Sequence, residues 1–162
     1  MIYSERRVTL IKFIYNGEAV GKGRPRYARR GNSIIAYTPE KTKEFEEAIK
    51  FEFLKNNSDR LPVYPKEKAL YVNLYVGCEV PKSYSKKRRE KCLNYEEMPT
   101  KKPDADNIIK AVLDALNGTA YEDDSQVIQV MCVKYYTALG AHVKVQIGEI
   151  GELEEVMATD EL

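Results

Sequence analysis

The chain has no tryptophan, one histidine and only three cysteines in 162 residues. Cys78, Cys92 and Cys132 form no C-x-x-C pair, and an odd number cannot close a complete set of disulfides. Together with His142 they are too widely spaced for the paired ligands of a structural zinc site. Thiols kept reduced in a cytoplasm are the simpler expectation. Long apolar runs are also missing. The longest stretch without a charge, Ala69 to Cys78, falls well short of the roughly 20 residues of a spanning helix. Glu5, Arg6, Arg7 and Lys12 break up the start, so it lacks the apolar segment of a secretion signal. These absences predict a cytoplasmic protein with no membrane association.

Net charge is nearly absent as well. Lys plus Arg total 26 and Asp plus Glu total 25, a balance of +1. That excludes a uniformly basic nucleic-acid binder of the histone type. The balance conceals an uneven distribution. Lys22 to Arg30 and Lys82 to Lys102 hold 13 bases against three acids. Glu149 to Leu162 holds six acids and no base.

With 43% hydrophobic residues, the chain can build a sizeable core at this length. The pattern predicts one domain over 1–150, followed by an acidic tail over 151–162 that is disordered. Val8 to Tyr15 reads as a strand ended by Asn16-Gly17. Gly21 to Arg26 reads as a loop, because two glycines and a proline deny it regular structure. Ser33 to Tyr37 reads as a short strand pairing back. Thr38-Pro39 then opens a helix, with Thr38 as its N-cap. Phe45, Ile49 and Phe53 give that helix one apolar stripe. Leu70, Val72, Leu74 and Val76 alternate with Tyr71, Asn73 and Tyr75, the signature of a strand over 69–80. Ser83 to Glu97 reads as a short helix or a loop. Ala105 to Asn117 reads as a helix with a stripe of Ile109, Val112, Leu113 and Leu116, stopped by Gly118. Strands over 126–137 and 141–148 complete the chain, with His142 on a polar face. The prediction is a two-layer α+β domain: a mixed sheet with two main helices packed on one face.

The most informative segment is Pro103-Asp104-Ala105-Asp106-Asn107-Ile108-Ile109-Lys110. Two carboxylates two residues apart at a helix start can satisfy first-turn amides. They can equally hold a metal ion, if further oxygen ligands join them. A second acidic cluster, Glu122-Asp123-Asp124, follows the helix. The helix carries the chain about 16 Å away from Asp106. The segment Gly118 to Asp124 can return at most about 23 Å. Asp123 or Asp124 can then lie beside Asp104 and Asp106. Without that return they are a solvated turn. Lys110 suits an ion pair with Asp106 or Asp114, each four residues away. It also suits a point charge for a phosphate held by the metal.

Other carboxylate chemistry fits less well. An EF-hand starting at Asp104 would need an oxygen donor and a glycine where Ile108 and Ile109 stand. A glycosidase pair would leave the basic segments unexplained. There is no P-loop, dinucleotide fingerprint or nucleophilic triad motif. Lys22, Arg24, Arg26, Arg29 and Arg30 interleave with Gly23, Pro25 and Tyr27. Lys86, Lys87, Arg88 and Arg89 form a second run, and Lys101 and Lys102 precede the carboxylates. A run of charge is by itself only a solvated face. Acids clustered for metal beside bases clustered for phosphate suit an enzyme acting on a phosphodiester backbone. The twelve tyrosines suit base stacking or, more simply, strands.

These residues resemble the RusA family of Holliday junction resolvases. The resemblance rests on Asp104-Ala105-Asp106-Asn107-x-x-Lys110, then Asp114-Ala115-Leu116-Asn117-Gly118, then Asp123-Asp124-Ser125-Gln126-Val127. It implies a RusA-like fold and a small homodimeric, Mg²⁺-dependent endonuclease, with Mn²⁺ able to substitute. Such enzymes cut four-way DNA junctions by paired incisions in recombination and repair. The resemblance implies Asp104, Asp106 and Asp124 as metal-binding carboxylates, with Asp123 sharing or swapping that role, and Lys110 as the essential lysine. It implies a site at or near a dimer interface and a bacterial or phage-encoded enzyme. The basic run at 83–91 and the acidic tail depart from the family pattern. Two other readings share the same residues: a module that binds branched nucleic acid without cutting it, and a metal nuclease for flaps or forks.

Overall fold

The computed structural model describes residues 10–55, 57 and 61–151. Its elements are β1 (Ile11–Asn16), β2 (Arg26–Arg30), β3 (Ser33–Tyr37), α1 (Glu40–Leu54), β4 (Leu70–Glu79), α2 (Lys86–Leu93), α3 (Ala105–Leu116), β5 (Val127–Thr137) and β6 (His142–Glu149). Four strands form a mixed sheet in the order β1-β6-β4-β5. Strand β6 is antiparallel to both β1 and β4, and β4 runs parallel to β5. The α+β expectation holds. Val8, Thr9 and the acidic tail from Glu152 onward lie outside the described residues.

Alternation explains which face is covered. Leu70, Val72, Leu74 and Val76 of β4 point to the same side as Val143, Val145 and Ile147 of β6. Phe45, Ile49 and Phe53 of α1 and Ile108, Val112 and Leu116 of α3 join them in one core. Phe13 of β1 meets Phe53 edge to face at 5.9 Å. Burial of each such side chain is worth about 1.5–3 kcal/mol. The stripe of α3 is rotated from the one expected. Its fully buried members include Ile108 and Ala111, while Ile109 and Leu113 are half-buried. Helix α2 packs instead near the end of β5, where Val80, Cys92 and Tyr136 make a small second cluster.

Three local expectations need correction. Arg26 belongs to a strand, not a loop, because Ser33–Tyr37 pairs with Arg26–Arg30 rather than with the main sheet. The N-cap of α1 is Pro39, which has no side-chain cap bond, instead of Thr38. Proline's fixed φ, −56° at Pro39, suits that entry without a capping hydroxyl. His142 is buried, not on an exposed polar face. Its ring nitrogens meet the Tyr135 hydroxyl (2.7 Å) and the Gly140 carbonyl (2.9 Å), so burial leaves neither unsatisfied. Among the described residues no helix is long and apolar enough to cross a membrane.

Candidate active site

Asp104 occupies the N-cap position of α3, with extended backbone (φ −70°, ψ 146°). Its side chain makes no cap hydrogen bond. Asp106, in the first helical turn, is exposed like Asp104. Neither has an ion-pair partner among the described residues. The capping explanation for this pair is therefore not what the structure shows. Two hard oxygen donors stand free beside the positive end of a helix dipole.

The backbone carrying them is held from two sides. Lys134 of β5 donates its ammonium protons to the carbonyls of Lys101 and Pro103 (2.9 Å for Pro103). From the other side, the Lys22 amide donates to the Asn107 carbonyl at 2.7 Å. Gly21 packs there with little room for a side chain. A Cβ at that position would stand 3.0 Å from Asn107 Cβ and 3.1 Å from Pro103 Cβ. The loop before β2 is thus pressed against the aspartates. An open cleft of about 790 Å³ runs between them, with Arg24 and Lys102 on its walls and Asp104 and Asp106 at its edge. Sequence reasoning missed Lys134. Its only sign is a basic residue on the face of β5 that otherwise presents Cys132 and Tyr136.

Lys22 has a different role from the phosphate contact expected of it. Its ammonium lies 2.6 Å from both Glu46 of α1 and Asp114 of α3. Burial alone would push that ammonium's pKa down. The hydrogen bonds and charges of Asp114 and Glu46 together outweigh burial and hold it above the ordinary lysine value. Asp114 is thereby taken from Lys110, which is exposed and has no ion-pair partner among the described residues. The i, i+4 pairing that would make Lys110 unremarkable does not form.

Asp123 and Asp124 separate clearly. Asp123 caps a short turn over Asp124–Gln126. It accepts from the Ser125 amide at 2.9 Å, and those hydrogen bonds hold its carboxyl below the usual range. Gln126 answers by accepting from the Glu122 and Asp123 amides while donating to the carbonyls of Pro65 and Lys68. Asp124 takes no part in this network. The chain returns from α3 through Tyr121, whose hydroxyl donates to the Leu113 carbonyl at 2.9 Å. Burial pushes the Tyr121 hydroxyl pKa strongly up, and the charges of Asp124 and Asp114 add to it. Among the described residues no three His, Cys, Asp or Glu side chains gather closely enough to hold one ion.

The expected phosphate contacts also divide. Arg24, Arg26, Arg29, Arg30, Lys86, Lys87 and Lys102 have no ion-pair partner among the described residues. Arg88 instead forks onto Glu97 (2.6 and 3.0 Å) and lies 3.7 Å from the Tyr84 ring centroid. Arg89 donates to the carbonyls of Val80 and Pro81. Lys101 sits 5.4 Å from the Tyr84 ring centroid.

Two similarities bear on this arrangement. The family described as Endodeoxyribonuclease RusA matches residues 16–148. The chain is also 35% identical over 140 residues to YqaN of Bacillus subtilis (strain 168), described as an uncharacterized protein. That match covers 86% of this chain and 96% of YqaN. The family match takes in the cleft, its free aspartates, Lys110 and both basic segments, so the chain belongs to the RusA family of endodeoxyribonucleases, nucleases that act on branched DNA junctions.

Proposed function

We propose that this chain is a Mg²⁺-dependent, structure-selective endodeoxyribonuclease that resolves four-way DNA junctions by paired incision as a homodimer. The observation that carries the reading is the state of Asp104: at a helix start, with no cap bond and no ion-pair partner among the described residues, lining an open cleft with Arg24 and Lys102. Asp104 and Asp106 offer the hard oxygen donors that Mg²⁺ or Mn²⁺ accepts. Bound there, such an ion would lower the pKa of a water nucleophile and stabilise the leaving oxygen. Arg24 and Lys102 on the cleft walls hold the DNA backbone in register. Lys110, unpaired on the second turn of α3, offers its ammonium to developing phosphate charge.

Asp124 is the better third carboxylate, because Asp123 is already committed as a cap. A homodimer would carry two copies of this site. A pair of such sites suits two symmetric cuts in one junction.

Asp104→Asn is the direct test. With Mg²⁺ and a synthetic four-way junction, cleavage should fall at least about 10³-fold, the scale of a lost catalytic electrostatic group. Junction affinity in Ca²⁺ should stay within about twofold, since no cation on the protein loses its partner. Retained cleavage would sink the metal assignment. Wild-type protein that binds junctions tightly yet cuts no DNA in either metal would make it a non-cleaving module. A panel of flaps, forks and linear duplex at one stated salt concentration sets the substrate preference.

A further inference from the structure

The strands β2 and β3 form a two-stranded sheet separate from the main one, and every one of their ten residues is exposed. Arg30 pairs with Ser33 across a two-residue turn, Gly31-Asn32. Gly31 takes φ +63°, the conformation that a tight hairpin turn asks of its first residue. The ribbon starts from a fixed base. The Gly23 amide donates to Thr42 Oγ1 (3.2 Å), and that hydroxyl donates to the Gly21 carbonyl (3.3 Å). Gly21 in turn abuts Asn107 and Pro103 beside the aspartates. The ribbon therefore leaves the body at the edge of the cleft.

Its chemistry is one-sided. No acid occurs between Glu18 and Glu40, whereas Arg24, Arg26, Arg29 and Arg30 all stand there with no ion-pair partner among the described residues. Alternation puts Tyr27 and Arg29 on one face with Ile34 and Ala36. Tyr27 and Ile34 are 71% and 74% exposed, an unusual state for large apolar side chains on a strand. Arg26 and Arg30 lie on the opposite face. A ribbon with this charge repels a second ribbon and attracts a polyanion.

We propose that this ribbon is a DNA arm, which lies in the major groove of the duplex adjoining the cut. The inference rests on the nuclease reading above and adds where the enzyme grips its substrate. The major groove, about 12 Å wide, admits a two-stranded ribbon as it stands; the minor groove, about 6 Å, takes one only where the duplex is bent and the groove widened. Five residues per strand at about 3.3 Å each give a reach of about 16 Å. That equals about five base pairs at 3.4 Å per step. Arg29, Tyr27 and Ile34 face the base edges, where arginine pairs with guanine and apolar groups meet the thymine methyl. Arg26 and Arg30, on the outward face, reach over the edges of the ribbon to the phosphates that flank the groove.

The test uses four-way junctions with one arm shortened stepwise from about 15 to four base pairs and capped by a hairpin loop to stay paired. Wild-type cleavage should hold until that arm drops below about five base pairs beyond the cut, then fall sharply. The triple variant Arg26→Ala, Arg29→Ala, Arg30→Ala should cut long-armed junctions about 10²-fold less well and ignore arm length. Dimethyl sulfate at guanine N7 should show wild-type protection within those five base pairs, lost in the variant. Wild-type cleavage indifferent to arm length, or a triple variant as active as wild type, overturns the proposal. So does a variant whose lost activity follows a fall from dimer to monomer mass in light scattering, which would make the ribbon a contact between copies. If the wild type cuts nothing, the nuclease reading fails on its own, and N7 protection still decides whether the ribbon enters a groove.

Discussion

The two basic segments have similar composition and opposite fates. Between Arg24 and Arg30 four arginines extend from the body with no acid beside them. In α2, arginines as close in sequence already have partners. Arg88 is clasped by Glu97 and stacked on Tyr84, and Arg89 is bonded to two carbonyls. A positive count thus measures what a segment contains, while the partners already present decide what it can offer to a phosphate. Within α2 the exposed Lys86 and Lys87 keep that capacity, and within the first segment Lys22 has lost it.

The sharpest way to break this contrast is the salt dependence of junction binding. Each phosphate contact adds about 0.9 to the slope of log affinity against log salt. Replacing Arg26, Arg29 and Arg30 by Ala should lower that slope by about 1.8, from the phosphate contacts of Arg26 and Arg30. Replacing Arg88 should change it by less than about 0.5, as Glu97 already neutralises its guanidinium. The measurement is fluorescence anisotropy of a labelled junction across a salt series in Ca²⁺. Equal losses from both segments would erase the distinction.

Much of the framework behind this contrast is legible in the sequence, because it depends on local periods. The spacing of Phe45, Ile49 and Phe53 and the alternation from Leu70 to Val76 both recur in the core. The string from Asp104 to Lys110 was visible at a helix start for the same reason. Contacts between distant residues were not. Lys22 meets Glu46 and Asp114, far along the chain, so its neutralisation leaves no local trace. Lys134 reaches back to Lys101 and Pro103 from another strand. The choice between Asp123 and Asp124 depends on Ser125 and Gln126 closing a capping box, and the box partners are local but easily mistaken for polar turn residues. Arg26 looked like loop because its preceding glycines and proline masked the start of a strand whose partner begins at Ser33.

A second, smaller effect separates Lys22 from Arg24, two residues away. Lys22→Met leaves Glu46 and Asp114 facing each other without a cation and should cost about 1–2 kcal/mol, discounted for partial exposure. Arg24→Met should stay within about 0.5 kcal/mol. Chemical denaturation gives both values. The pH dependence has a definite sign. Lys22 has a folded-state pKa above the ordinary 10.5, so its stabilisation is complete below that value. It disappears as pH rises through the folded pKa. The gap between wild type and Lys22→Met should therefore be constant between about pH 7 and 9 and close in stronger alkali.

The smallest effect belongs to Arg88. The first turn of α2 contains Lys86, Lys87 and Arg88, three cations at the positive end of a helix dipole, with Ser85 as its capping acceptor at 3.4 Å. Glu97 relieves part of that repulsion, and its own carboxyl is held below the usual range, chiefly by the hydrogen bonds from Arg88. Both side chains are solvated, so Arg88→Ala should lower Tm by less than Lys22→Met does. A depressed carboxyl pKa stabilises above its unfolded value and stops doing so as pH falls through its folded value. The small Tm difference should thus be present at pH 7 and vanish in acid, below the Glu97 titration. In the same variant, the Glu97 carboxyl followed by NMR should titrate at higher pH than in wild type. An unmoved Glu97 would mean that Arg88 is free in solution after all, and the two basic segments would then differ in shape but not in available charge.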